Sequence, residues 1–194
     1  MTDLREVDRD LVEGAKSDPG MFARLYGVYF PRVYGYVAMR VGSVESAEDI
    51  VSEVFFKLVQ GLGTFQWRDE NSFSAWVFRI AHNATVSYWR KTKKYKEWED
   101  GQDGDPALEI LQDREALPEE QMLKKEQSEQ MRRLVGKLPQ RRQEVITLRF
   151  FGELQNREIA SILGLDEHTV ASHICRGLKD LHRLWVEENA SSEL

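Results

Sequence analysis

Residues 156–178 read NREIASILGLDEHTVASHICRGL and contain two short apolar patterns separated by a glycine. Ile159, Ala160 and Leu163 recur at helical spacing, which predicts the inner face of a short helix. Gly164 can adopt the left-handed backbone conformation of a tight turn, and Asp166 is suited to cap the next helix. The expected buried face of that second helix consists of Val170, Ile174, Leu178 and Leu181. The stretch therefore predicts a helix-turn-helix.

The opposite face of the second helix carries short and basic side chains that can approach base edges and phosphates in a DNA major groove. The candidate residues for this contact are His168, Thr169, Ala171, Ser172, His173, Cys175, Arg176 and Lys179. A helical hairpin used only for packing is the alternative, and the mildly basic face counts against it. The spacing of the histidines and Cys175 does not gather three ligands around one ion, so we expect no metal site and no cofactor.

The rest of the chain shows the helical period and no alternating strand pattern, so the predicted fold class is all-α. Within residues 21–41, Pro31 marks an expected break or first turn. Ser46, followed three residues later by Asp49, is expected to cap the next helix. Ser72 is expected to cap a long helix that runs into a basic stretch.

The net charge of −6 is concentrated in one segment. Residues 97–121 carry ten acidic side chains and one basic side chain, with glycine and proline typical of a linker. Charge acts over a Debye length of about 10 Å, so this segment does not exclude nucleic acid as a partner of the rest. We predict two small helical domains, residues 1–96 and 120–194, joined by an acidic flexible linker at residues 97–119.

Composition excludes several classes of protein. No apolar run approaches the roughly 20 residues of a transmembrane helix. The N-terminus MTDLREVDRDLVEG is acidic and lacks the apolar stretch of a secretory signal. The single cysteine, Cys175, fits a reducing compartment. We therefore expect a cytoplasmic protein without membrane insertion.

Two surfaces of the first domain are hard to explain as scaffold. On the helix after Ser46, the residues that point away from the apolar stripe include Asp49, Glu53 and Phe56. Neighbouring acids repel each other, and an exposed Phe adds nothing to a core, so a basic and partly apolar partner would account for both. The alternative is an ordinary solvated face with Phe56 turned inward.

The second surface follows the helix after Ser72 and the loop before it. Cations can track a phosphate backbone, Asn can read a base edge, and aromatic rings can stack on unpaired bases or hold a base extruded from a duplex. An ordinary amphipathic helix is the alternative, and the helix-turn-helix downstream favours nucleic acid. The candidate residues are Phe65, Trp67, Arg68, Asn71, Arg79, Asn83, Trp89 and Arg90.

Together these motifs resemble the extracytoplasmic-function (ECF) sigma factors of the sigma-70 family. AEDIVSEVFFKL at residues 47–58 resembles the region that binds the clamp helices of the RNA polymerase β′ subunit. FSAWVFRIAHNATVSYWRK at residues 73–91 resembles the promoter-melting and −10 recognition helix. Residues 138–181 resemble the domain that reads the −35 element and docks on the flap of the β subunit.

The resemblance implies roles for particular residues. Asp49, Glu53 and Phe56 would bind the polymerase core, and Asn83 with the loop at residues 65–72 would capture the flipped −10 base. The chain would be a sigma factor rather than an enzyme, with polymerase core, promoter DNA and an anti-sigma factor as partners.

The chain departs from the family at several positions, and two of these, on the −35 reading helix, affect contacts with DNA. Ala171 stands where a basic residue is usual, and His173 stands where Arg is usual. Both changes weaken the usual phosphate and guanine contacts. The resemblance therefore implies an atypical −35 motif, or a greater dependence on the first domain.

Parts of the sequence also fit two other functions. TVASHICRGLKDL also resembles the recognition helix of LuxR-type regulators, but the N-terminal half shows no strand pattern for the α/β domain that such a regulator needs. A small hydrolase or nuclease would draw its acid and base from His82, Asp49 or Glu53, and no catalytic constellation surrounds them.

Overall fold

A computed structural model describes residues 9–67, 72–100 and 119–190. Within these ranges every element is an α-helix, which confirms the all-α prediction. None of the helices described there is long and apolar enough to cross a membrane. Arg68, Asn71 and most of the predicted linker lie outside the described residues. The helices are α1 Arg9–Ala15, α2 Pro19–Ala38, α3 Val44–Leu62, α4 Ser72–Asp100, α5 Glu119–Gly136, α6 Gln140–Phe150, α7 Asn156–Leu163 and α8 Glu167–Ala190.

Two predicted helix boundaries are wrong. Pro31 lies inside α2 without ending it. The helix continues because residues on both sides of the proline, among them Tyr29 and Val33, are buried in one core, and this packing outweighs the lost backbone hydrogen bond. The cap of α3 is Ser43 rather than Ser46, because the Ser43 Oγ accepts the Ser46 N–H at 3.1 Å.

The N-terminal half of the structure, α1 to α4, packs its large side chains between α2, α3 and α4. Tyr29, Tyr36 and Phe78 are fully buried. The Tyr29 hydroxyl lies 2.8 Å from the Ser74 Oγ, so its polar end has a partner inside the core. Burial raises the pKa of both Tyr29 and Tyr36 to about 12. Both phenols therefore stay neutral at physiological pH.

The helix-turn-helix forms from α7 and α8 as predicted. Gly164 has φ 65° and ψ 39°, the left-handed conformation that ends α7. The Asp166 Oδ1 accepts the Thr169 N–H at 2.8 Å and caps α8. The expected burial of Leu178 is wrong, because this side chain is exposed and Gly177 is buried instead. A Cβ on Gly177 would lie 2.8 Å from the Ile146 Cγ1, so α8 approaches α6 at a position that leaves no room for a side chain.

The two halves of the chain pack against each other. Val145, Leu148, Leu154 and Ile159 of the C-terminal half belong to the same buried apolar cluster as the core of the N-terminal half. Helix α7 lies against α4. The residues predicted to form two domains therefore share a continuous core in this arrangement.

Candidate nucleic-acid and polymerase interface

The outer side of α3 is acidic at one end and apolar at the other. Asp49 and Glu53 are exposed, and the Phe56 side chain is 63% exposed. The alternative in which Phe56 turns inward is therefore wrong. The helical period predicts Val59 on the apolar face of α3 with Leu58, and this prediction is wrong, because Val59 is exposed one turn beyond Phe56. We call Asp49, Glu53, Phe56 and Val59 the α3 face.

A cleft of about 150 Å³ lies beside the acidic end of the α3 face. Asp49 and Glu53 line it from α3, and Ser87, Tyr88 and Lys91 line it from α4. The cleft thus has carboxylates along one wall and a single ammonium group on the other. Such a cleft can accept a cationic side chain next to the exposed apolar surface.

The segment at residues 65–67 follows α3 and holds two half-buried aromatic side chains. The Phe65 ring centroid lies 5.0 Å from the Phe73 ring and 5.4 Å from the Trp67 ring. The Trp67 indole N–H donates to the Glu13 Oε1 of α1 at 2.8 Å. An aromatic cluster therefore joins this loop to the first turn of α4.

The predicted −10 residues of α4 differ in what surrounds them. Asn83 and Arg90 are exposed. Arg79 is exposed as well, but its Nη2 donates to the Ser161 carbonyl at 2.9 Å and to the Ser161 Oγ at 2.8 Å. The half-buried Trp89 donates its indole N–H to the Arg40 carbonyl at 3.0 Å. In this arrangement α7 thus covers one end of the surface that was predicted to meet DNA.

Helix α8 presents most of the predicted −35 residues to solvent. His168, Ala171, Cys175, Arg176 and Lys179 are exposed. Thr169 and Ser172 are half-buried, and the Thr169 hydroxyl donates to the Asp166 Oδ2 at 2.6 Å. This hydroxyl and the Thr169 N–H hold the pKa of Asp166 below its usual value, so the cap stays ionised. The exposed face carries two fixed positive charges.

His173 differs from the other candidates on α8. Its ring is half-buried, and within the described part of the chain its Nδ1 has no hydrogen-bond partner. Burial lowers its pKa, and the nearby cations Arg141, Arg142 and Arg176 lower it further. A neutral imidazole therefore stands where the family resemblance expects a guanidinium.

Sequence reasoning missed the polar contacts between the two halves. Arg32 donates from its Nη2 to the Gly152 carbonyl at 2.7 Å. Arg40 and Glu144 form a buried ion pair with 3.8 Å between Nη2 and Oε1. The position of Arg32 between Tyr29 and Tyr36 on the apolar face of α2 was the available signal, because an arginine on a core face needs a partner.

Comparison with known proteins shows the family to which the chain belongs. The sigma-70 region 2 family matches residues 25–95, and the sigma-70 region 4 family matches residues 128–181. The ECF RNA polymerase sigma factor BldN of Streptomyces coelicolor is 32% identical over 180 residues, which cover 92% of this chain and 66% of BldN. The ECF RNA polymerase sigma factor SigW of Bacillus subtilis is 31% identical over 180 residues, which cover 91% of this chain and 95% of SigW.

A solved structure supports the fold. The sigma factor RpoE, crystallised with the anti-sigma factor NepR from Bartonella quintana, superposes with a TM-score of 0.64. The alignment covers 84% of this chain and 96% of RpoE, at 19% sequence identity. At this identity the likeness concerns the arrangement of helices alone.

The all-α fold, the helix-turn-helix and the two matched regions define an RNA polymerase sigma factor of the sigma-70 class. Within that class the chain belongs to the ECF sigma factors. It directs core polymerase to specific promoters and initiates transcription there. No finding supports the LuxR-type alternative.

Proposed function

We propose that three surfaces divide the work of promoter recognition. The α3 face binds the polymerase core, the loop at residues 65–67 together with α4 captures the −10 element as single strand, and α8 reads the −35 element as duplex. Residues 1–96 and 120–194 act as the two functional domains. The observation that carries this proposal is the exposure of Phe56 beside two acids, because an exposed aromatic ring gains nothing from folding and marks a surface for a partner.

The core-binding role of the α3 face rests on its charge and shape. Its acidic end opens into the cleft beside Lys91, and its apolar end offers Phe56 and Val59. A partner helix with basic residues followed by apolar residues would fill both parts. Desolvation of the aromatic ring would supply most of the binding free energy, and the acids would orient the partner.

The −10 role rests on the aromatic cluster and on Asn83. An extruded base can stack on an aromatic ring, with a gain of about 1–3 kcal/mol per base. Trp67 and Phe65 offer such rings, and exposed Asn83 can donate and accept hydrogen bonds at a base edge. Arg90 adds a cation for the backbone. Binding to extruded bases then supplies the free energy for melting.

The −35 role rests on the exposed face of α8. Arg176 and Lys179 supply two charges for phosphates, and the exposed His168 and Ala171 can face the groove. With so few charges, the affinity for duplex DNA alone is modest, and the polymerase must supply much of the remaining attraction. The neutral His173 strengthens the expectation of an unusual −35 motif.

Promoter recognition requires the two halves to separate. The −10 element must reach α4 as single strand while the −35 element reaches α8 as duplex, so both surfaces must be open at the same time. In the described arrangement α7 lies against α4, and Arg79 is bonded to Ser161. The residues between Asp100 and Glu119 can span about 60 Å when fully extended. The packed arrangement is therefore a resting form, and core and promoter bind the separated form.

The packed form also suits an inhibitor. RpoE of Bartonella quintana was solved with an anti-sigma factor. By analogy, an anti-sigma factor would bind this chain and keep the α3 face and α4 from the polymerase and DNA. The chain itself would carry out no catalysis and would act in the cytoplasm, where core polymerase is found.

Run-off transcription with purified core polymerase tests the function directly. On a promoter library, core with the protein should start at defined sites that core alone does not use. Initiation at no defined site would overturn the proposal.

Two variants test the division between surfaces. Glu53→Lys should weaken core binding about tenfold, because it reverses a charge on the α3 face, while Glu48→Lys serves as a control of equal charge on the same helix. Asn83→Ala should change the −10 base preference and leave core affinity unchanged. Equal loss of core affinity in Glu53→Lys and Asn83→Ala would show that the surfaces are assigned wrongly.

A further inference from the structure

Helix α1 lies outside the residues that the two sigma-70 regions match, since the first match begins at residue 25. Val12 and Ala15 of α1 are buried, and the helix packs against α2. This packing leaves Arg9 and Glu13, together with Lys16 just after the helix, on the side toward the loop at residues 65–67. The helix is therefore anchored by apolar contacts and directs charged groups at the loop.

Three contacts from this segment hold the loop. The Glu13 Oε1 accepts the Trp67 indole N–H at 2.8 Å. The Lys16 Nζ donates to the Phe65 carbonyl at 3.1 Å and pairs with the Glu13 Oε2 at 2.8 Å. The Arg9 guanidinium carbon lies 5.8 Å from the centroid of the Trp67 ring. Both the backbone at the start of the loop and the ring at its end are thus fixed from α1.

The contact between Glu13 and Trp67 constrains ring orientation. An indole has one polar hydrogen and no acceptor, so its single hydrogen bond sets the direction of the ring edge. The Trp67 ring then packs against Phe65, whose centroid lies 5.0 Å from that of Trp76. These ring contacts link the orientation of Trp67, which Glu13 sets, to the start of α4, the helix that carries the −10 residues.

The charge of Glu13 also needs an explanation. A free carboxylate next to a surface that receives a phosphate backbone would repel it. Lys16 neutralises this carboxylate at 2.8 Å, and its hydrogen bond holds the pKa of Glu13 below the usual value. The segment therefore supplies a strong acceptor for the indole without a net negative charge at the loop.

We propose that Glu13 is a positioning residue for capture of the −10 base. It holds Trp67 in the orientation that receives the extruded base. The inference rests on the proposed function of the loop. A ring held in place before binding loses less side-chain entropy when the base arrives. Glu13 itself touches no DNA, and α1 acts as a brace that sets how well the loop discriminates between bases.

The test compares full-length variants bound to core polymerase. Glu13→Ala removes the acceptor, Glu13→Gln keeps an acceptor oxygen without the charge, and Trp67→Phe keeps a ring without the donor. The readouts are affinity for a fluorescent single-stranded −10 oligonucleotide, base preference at the captured position, core affinity and thermal unfolding. Glu126→Ala, which removes an exposed acid in α5, is the control.

Glu13→Ala and Trp67→Phe should each weaken oligonucleotide binding roughly fivefold, the size expected for the loss of one ordinary hydrogen bond. Both should flatten the base preference. The double variant should lose no more than either single variant, because both changes break one contact. Glu13→Gln should retain most of the affinity, and core affinity should stay unchanged throughout.

Other outcomes distinguish the positioning role of Glu13 from base capture by the loop itself. If Glu13→Ala leaves binding and base preference unchanged while Trp67→Ala lowers both, the loop captures the base and the positioning role is wrong. If Trp67→Ala has no effect either, the proposed function of the loop fails as well. If Glu13→Ala lowers thermal stability and core affinity as much as oligonucleotide affinity, α1 is only a scaffold.

Discussion

The buried ion pair between Arg40 and Glu144 stabilises the packed form, and one substitution can remove it. Arg40 lies in the turn just after α2, and Glu144 belongs to α6, so separation of the halves returns both charges to water. In the packed form their side chains are 3% and 5% exposed. Glu144→Ala would leave the Arg40 guanidinium buried without its anion. This cost falls on the packed form alone.

The free-energy cost of Glu144→Ala in the packed form can be worked out from the geometry of the ion pair. At 3.8 Å two unit charges attract by about 4 kcal/mol at an effective dielectric constant of 20. Removal of one partner of a buried pair costs about 3–5 kcal/mol. We take about 3 kcal/mol, because Glu144 also pairs with Arg141 at 3.0 Å within its own helix. This shifts the equilibrium toward the separated form by more than about 100-fold.

Energy transfer between two dyes measures this shift. One dye is attached to Cys175, the single native cysteine, and the other to Gln60→Cys on exposed α3. The wild-type chain should give one short distance, and Glu144→Ala should give a longer and broader distribution. Glu153→Ala is the matched control, because this carboxylate is 54% exposed and lies 3.8 Å from the Arg32 Nε. Exposed pairs contribute about 0–1 kcal/mol, so the control should stay packed.

A double variant, Arg40→Met with Glu144→Met, distinguishes the effect of an unpaired buried charge from the effect of lost side-chain packing. Replacement of a buried pair by apolar residues of similar size is often neutral or stabilising, so the double variant should return to the short distance. The reasoning is refuted if Glu144→Ala keeps the wild-type distance distribution with its helical circular dichroism intact. It is also refuted if Glu153→Ala separates the halves as far as Glu144→Ala does.

Three further predictions concern stability. Burial lowers the pKa of His82, so the folded chain holds a neutral imidazole while the unfolded chain binds a proton below about pH 6.5. The unfolding free energy should therefore fall between pH 7.5 and 5.5, and His82→Gln should reduce this slope in urea titrations. Gly177→Ala should destabilise by about 1–3 kcal/mol, because its Cβ would meet Ile146 at 2.8 Å. Gly27→Ala, with open space around it in α2, should stabilise by about 0.5–1 kcal/mol, and a loss of stability in calorimetry would contradict this.

Local patterns in the sequence were sufficient for much of the fold. The helical period identified α3, α4, α7 and α8, and Gly164 with Asp166 defined the turn between the last two. Such signals are short in range, since a cap or a left-handed residue acts within one turn. The errors at Pro31 and Leu178 have the opposite origin. Each depends on what packs against the helix from elsewhere in the chain.

In the candidate site, too, some residues could be predicted from local spacing and some contacts could not. The spacing of Asp49, Glu53 and Phe56 against the apolar stripe of α3 made them candidates for an exposed face, and the structure then showed that Phe56 does not turn inward. The Arg79 contact with Ser161 joins residues 82 positions apart, and the contact between Glu13 and Trp67 spans 54. No local pattern encodes such distances.

The sequence by itself determined an all-α sigma factor, its helix-turn-helix and the side chains that its helices can expose. Only the tertiary structure decided which of those side chains are covered, because α7 packs on α4 and α1 reaches the loop at residues 65–67. Helix periodicity predicts which face of a helix is apolar. A hydrogen bond or ion pair across the fold cannot be predicted in this way, because it also depends on where the partner residue lies. Burial of charges such as Arg40 and Glu144 therefore follows from how the helices pack, and not from the composition of either helix.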